Sequence, residues 1–101
     1  KTLYISGTTD GGTAAAKPGE GPDASATRVM ENFKKLVETG GATMDDLVQV
    51  TIFCTDLSYY NAFNAVYRSY FKGPLPSRAF IGTSQLLGAA HFEVMGIAVK
   101  P

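Results

Sequence analysis

The stretch Leu47-Val48-Gln49-Val50-Thr51-Ile52-Phe53-Cys54-Thr55-Asp56 decides the fold class. Val48, Val50, Ile52 and Cys54 fall on one side of an extended chain and Gln49, Thr51, Phe53 and Thr55 on the other, the period-two pattern of a β-strand. The first side suits a core. The second is neither charged nor wholly apolar, so it must meet something less apolar than a core. Asp56 or Ser58 can cap a helix that follows, in which Tyr59, Phe63, Val66, Tyr67 and Tyr70 make an aromatic stripe stopped by Lys72, Gly73 and Pro74.

Upstream, Thr43 to Asp46 reads as a capped turn, with the Asp46 carboxylate reaching back to the start of the turn. Before it, Ala26, Val29, Met30, Phe33, Leu36 and Val37 recur at helical steps between an N-cap at Asp23 and a glycine stop at Gly40-Gly41. The region Thr8 to Pro22 has no periodicity and reads as a loop, with turns at Gly11-Gly12 and Gly19 to Pro22. Thr2 to Ser6 alternates as a strand that Gly7 ends. Downstream, Pro74 and Pro76 stiffen a connection, Arg78 to Ser84 is strand-like, and Phe92 to Val99 is apolar except at Glu93, which predicts a strand buried on both faces.

The order is strand, helix, strand, helix, strand, strand, with each helix following a strand at crossover length. It predicts an α+β two-layer sandwich over residues 1–101, a mixed sheet with two helices on one face. Nine basic and nine acidic side chains balance to zero, and charged residues make up 18% of the 101 residues, against about 25% in ordinary soluble domains. That is too little charge to solvate a second sheet face. A symmetric oligomer burying that face is the economical solution.

The neutral balance, with no basic run, argues against nucleic acid and against an anionic membrane surface as partners. No apolar run approaches a membrane span, and Lys1 to Ser6 lacks the apolar centre of a signal peptide. With Cys54 alone there is no intrachain disulfide, and a reducing cytoplasm is the expected location. One cysteine and one histidine, His91, cannot build the usual metal clusters, so no metal is expected. The sequence opens without methionine and directly in a strand pattern, so some native N-terminal residues are expected to be missing from it.

Between Gly73 and Val99 the only formal charges are Arg78 and Glu93. A guanidinium near a sheet edge offers a planar fork to a ligand carboxylate, and a carboxylate in an apolar strand has its pKa raised by desolvation. Together they are the minimum kit for binding a small carboxylic acid and moving a proton. The plainer reading is a buried salt bridge, between the two or with a neighbouring subunit. Ser6-Gly7 reads more simply as a strand-ending turn than as an anion site. Gly11-Gly12-Thr13 lacks phosphate-loop spacing. Cys54 reads as a small buried hydrophobe, His91 as an exposed or hydrogen-bonded strand opener, and Asn64 as a solvated helix residue. The tyrosines and phenylalanines of residues 59–71 read as packing material, one hydroxyl of which can line a cleft.

Several motifs carry a family resemblance. Pro76-Ser77-Arg78-Ala79, then Leu87-Gly88, then Phe92-Glu93-Val94 leading to Ile97-Ala98-Val99, resembles the C-terminal signature of the Rid family, the reactive intermediate deaminases also called YjgF or L-PSP proteins. Leu3 to Gly7, Glu31-Asn32-Phe33-Lys34, Leu47 to Asp56, and Asn64-Ala65-Val66-Tyr67 with Tyr70-Phe71 resemble the family's other segments in the same order. The resemblance implies a chorismate mutase-like fold, a homotrimer with clefts between subunits, and cofactor-free hydrolysis of enamine or imine acids to 2-oxo acids and ammonia. The ligand it implies is thus a small 2-imino or 2-oxo carboxylic acid.

By the same resemblance Arg78 grips the substrate carboxylate, Glu93 orients or deprotonates water, Ser6 and Gly7 line the cleft, and Asn64 lies near it. Three features depart from the pattern. The family's N-terminal Gly-Pro-Tyr segment has no counterpart in this sequence, Thr8 stands where many members have glutamine, and Phe80 occupies a position that is often cysteine. Phe80 is expected to narrow or reshape the pocket. A non-catalytic trimer that binds a small carboxylate or a protein is the alternative. The family also contains members described as ribonucleases or translation inhibitors, a reading that a neutral chain makes less attractive.

Overall fold

A computed structural model describes residues 1–11 and 20–101. Four strands, β1 (Thr2–Thr9), β2 (Leu47–Cys54), β3 (Ser77–Gly82) and β4 (Phe92–Val99), form one sheet in the order β1-β4-β2-β3. Strand β4 runs antiparallel to both β1 and β2, and β2 runs parallel to β3. Helices α1 (Pro22–Thr39) and α2 (Tyr60–Arg68) follow β1 and β2 respectively. Both cover the same face, so the expected two-layer α+β arrangement is the one observed.

The core lies between these layers. Val29, Met30, Phe33 and Val37 from α1 and Phe63 from α2 meet Val50, Ile52 and Cys54 of β2 and Phe92 and Val94 of β4, all fully buried. Cys54 behaves as the expected small hydrophobe: its Sγ reaches the Asp56 carbonyl at 3.0 Å, and burial pushes its thiol pKa up. Helix α1 stops in a Schellman motif, in which Gly41 takes φ +89° and the Gly41 and Ala42 amides return to the Glu38 and Val37 carbonyls.

Five expectations change. Helix α1 starts earlier than expected, with Gly21 as N-cap, Pro22 in the first turn and Asp23 one residue inside, where its charge complements the helix dipole. Helix α2 is shorter than the aromatic stripe: it ends at Arg68, and Asp45 Oδ1 accepts the Lys72 and Gly73 amides at 3.1 Å each, drawing the chain off the helical path. Strand β3 spans Ser77–Gly82 and not Arg78 to Ser84. In β2 the register against β4 shifts between Leu47 and Gln49, so Leu47 takes the core position and Val48 is exposed. Strand β4 is buried on the helix side only, because Glu93 and Ile97 are half-buried and Met95 and Val99 exposed on the opposite, open face.

The expected loop from Thr8 also changes. Strand β1 continues to Thr9, with a register shift between Ile5 and Thr8 that puts Ser6 and Gly7 in a bulge. The turn expected at Gly11-Gly12 and the one at Gly19 lie wholly or partly outside the described residues.

Beyond the bulge, Asp10 is fully buried. Its Oδ1 accepts the His91 and Phe92 amides at 2.9 and 3.2 Å, and its Oδ2 lies 3.2 Å from His91 Nδ1. Arg28 Nε donates to the Asp10 carbonyl at 3.2 Å. This one side chain therefore ties the end of β1 to the start of β4. Asp10→Ala strands two amides beside the core, and the expected cost is about 3 kcal/mol. A melting temperature lower by about 15 °C checks it. Asp10→Asn, which keeps the amide acceptor, should lose distinctly less.

Candidate functional site

Arg78 lies near the start of edge strand β3, paired in register with Val50. Val50 faces the helices, so Arg78 and Phe80 do too. The guanidinium meets α2: Nη1 donates to Asn64 Oδ1 at 2.7 Å. Tyr67, Phe80 and Tyr60 surround it, with ring centroids 4.8, 5.4 and 5.7 Å from its central carbon. One in-plane hydrogen bond and three aromatic walls fix the fork's direction by contacts that add cation–π attraction. Asn64 is buried, not solvated, because Arg78 supplies the polar partner its burial requires. Phe80 packs edge-on against Tyr60 and Phe63, at centroid distances of 5.0 and 5.5 Å, and so closes one flank of the anchor.

Beside Arg78 is a cavity of about 120 Å³ lined by Asn64, Tyr67, Arg68, Leu75, Pro76 and Arg78. Tyr67 Oη is buried without a hydrogen-bond partner among the described residues. Desolvation pushes the Tyr67 pKa up to about 12, against the opposing influence of the Arg78 charge, so the phenol keeps its proton at neutral pH.

Glu93 occupies the other face. It pairs in register with Phe53 on β2 and Thr9 on β1, and its neighbours Phe92 and Val94 point into the core. The half-buried carboxylate lies against the β1 bulge, where a Cβ on Gly7 would overlap Glu93 Oε2 and stand 3.1 Å from its carboxyl carbon. Glycine at position 7 is what lets the carboxylate rest on the strand. Ser6 is beside it, on the rim of a cavity of about 270 Å³ on the open face that Tyr4, Gln49, Thr51, Met95 and Ile97 also line.

The six residues singled out in the sequence therefore form two groups within one chain. Arg78, Asn64 and Phe80 stand together on the helix side of the edge strand. Ser6, Gly7 and Glu93 stand together on the open face, with β2 between them and Arg78. The salt bridge between Arg78 and Glu93 is thereby excluded within the chain, and neither has an ion-pair partner among the described residues.

A third polar cluster surrounds His91. Asp10 Oδ2 at 3.2 Å and Ser25 Oγ at 3.1 Å both meet the same ring nitrogen, Nδ1. A nucleophile relay needs the serine and the carboxylate on opposite ring nitrogens. The cluster fastens the strand start, in keeping with a hydrogen-bonded strand opener. Among the described residues no three His, Cys, Asp or Glu side chains converge as metal ligands would.

Comparison with known proteins gives the same frame. The endoribonuclease L-PSP family model matches residues 1–100. The 2-iminobutanoate/2-iminopropanoate deaminase of Dermatophagoides farinae is 32% identical over 99 residues, covering 97% of this chain and 77% of that protein. Protein DfrA of Myxococcus xanthus is 41% identical over 77 residues, which cover 76% of this chain and 59% of DfrA. Among solved structures, RidA from an Antarctic Psychrobacter superposes with TM-score 0.85 at 31% identity, covering 98% of this chain and 80% of RidA. The YjgF product of E. coli does so with TM-score 0.87 at 25% identity, covering 99% and 81%. With the four-stranded sheet, the helix pair and nearly every residue matched, the chain belongs to the Rid family, the endoribonuclease L-PSP family of the matching model.

Proposed function

We propose that this protein hydrolyses enamine and imine acids to 2-oxo acids and ammonia, in clefts formed between copies of a homotrimer. The observation that carries the reading is the clamped guanidinium of Arg78, whose fork is held by Asn64 and aromatic rings and has no carboxylate partner among the described residues. A fixed cation of this kind suits the carboxylate of a small acid. The Dermatophagoides relative named as a deaminase supports the reaction class.

In this reading the edge strand of one copy abuts the open face of the next, bringing Arg78 and Asn64 against Ser6, Gly7 and Glu93. The exposed apolar surface of Tyr4, Ile81, Met95 and Val99 favours burial of that face by the neighbour. An enamine acid first tautomerises to the imine. Water then adds to the imine carbon as Glu93 takes its proton and passes it to the nitrogen. The resulting carbinolamine breaks its carbon–nitrogen bond as the hydroxyl proton moves by the same carboxylate to the nitrogen, which leaves as ammonia while the carbon–oxygen double bond forms. Because the imine carbon is already electrophilic, positioning and one proton carrier suffice.

The test is release of ammonia and pyruvate from enzymatically generated 2-aminoacrylate. Wild-type protein should accelerate release, and Glu93→Gln should lower the rate about a hundredfold. Equal rates with and without protein would sink the reading. Phe80 crowding the anchor favours a second reading, a non-catalytic carboxylate binder. That reading predicts thermal stabilisation by 2-oxobutanoate, no turnover, and no effect of Glu93→Gln.

A further inference from the structure

The cavity beside Arg78 holds more cationic and donor capacity than one carboxylate needs. Arg68 follows Asn64 by one helical turn, which places the two on the same face of α2, the face Arg78 meets. Both arginines line the cavity, and neither has an ion-pair partner among the described residues. Arg68 is exposed at the cavity's edge and Arg78 half-buried, so an anion entering between them meets two positive charges. Tyr67 is one of the residues lining the same space, and its hydroxyl is buried without a partner among the described residues, a donor that calls for an acceptor. Leu75 and Pro76 complete the wall with apolar surface. At about 120 Å³, against the about 30 Å³ of a water molecule, the cavity has room for a carboxylate and a short methylene stem.

We propose that Arg68 and the Tyr67 hydroxyl form a subsite for a second carboxylate, so that the preferred ligands are 2-imino and 2-oxo dicarboxylic acids. Arg78 holds the carboxylate next to the imine carbon, Leu75 and Pro76 flank the methylenes, and Arg68 and Tyr67 receive the distal carboxylate. The inference rests on the reading of Arg78 as a carboxylate anchor. Upstream, it calls for a reaction that oxidises the amine of an acidic amino acid or dehydrates its 3-hydroxy derivative.

Calorimetric titration of the full chain with 2-oxoglutarate and with 2-oxobutanoate tests it. The diacid should bind about tenfold more tightly, from one added charge-assisted contact set. Arg68→Gln should erase most of that preference while changing 2-oxobutanoate affinity far less. Tyr67→Phe, which keeps the ring against Arg78, should weaken the diacid selectively by a smaller factor. Equal binding of the two acids, or an equal loss for both in Arg68→Gln, overturns the second subsite and leaves the anchor standing. Binding of neither acid overturns the anchor and the subsite together.

Discussion

Arg78→Ala should lower the proposed imine hydrolysis about a thousandfold, the largest single loss expected in the site, since the loss of a charge-assisted carboxylate anchor and its positioning effect is worth about 4 kcal/mol. The loss belongs to binding and orientation, so it should appear in kcat/KM before it appears in kcat at saturating substrate. The substitution also leaves the buried Asn64 amide without its 2.7 Å partner and opens space among Tyr60, Tyr67 and Phe80. A structural cost of about 1–2 kcal/mol follows from the unpaired amide. Circular dichroism and melting separate that cost from the catalytic one. Arg78→Lys sharpens the test: it keeps a charge near the rings but loses the fork, and should recover no more than a small part of the rate. Near-wild-type kinetics in Arg78→Ala would remove this residue from the mechanism.

Much of this architecture is legible in the sequence because the relevant patterns are local. Alternation in β2 and the three- and four-residue steps of α1 each report a buried face without reference to any other segment. The misses are places where a distant partner decides. Val48 reads as core, yet the bulge against β4 gives that position to Leu47. Strand β4 reads as buried twice over, yet its Met95 and Val99 are exposed on the open face. Gly7 reads as a strand end, when it is the residue against which the Glu93 carboxylate lies.

The candidate site divides along the same line. Arg78 and Glu93 stand out from composition, as the two charges in an apolar stretch. Asn64 reads as solvated, because nothing local reveals that a guanidinium fourteen residues later will meet it. Asp10 escapes notice for the same reason, since an acid between Thr9 and Gly11 looks like loop until its contacts with His91 and Phe92 are seen. Nor does the sequence say that Arg78 and Glu93 face opposite ways. That follows from pairing Arg78 with Val50 and Glu93 with Phe53, a register no single segment contains.

Those opposite directions lead to the second large effect. If each cleft takes Arg78 from one copy and Glu93 from the next, two inactive variants should restore one another. Arg78→Ala retains the carboxylate, and Glu93→Gln retains the guanidinium. After co-expression in equal amounts, each cleft draws its anchor and its acid independently, so about a quarter of the clefts, a half times a half, receive both intact groups. Activity should then rise to about a quarter of wild type from a floor about a hundredfold lower in the less impaired variant alone. A site contained within one chain would show no recovery, because every chain carries a lesion. The reciprocal experiment discriminates equally well. Wild-type chains mixed one to one with the Arg78→Ala, Glu93→Gln double variant should give about a quarter of full activity if the cleft is shared, and about a half if it is not. The two mixtures predict the same number from opposite starting points, so a common effect on assembly or folding cannot imitate the result.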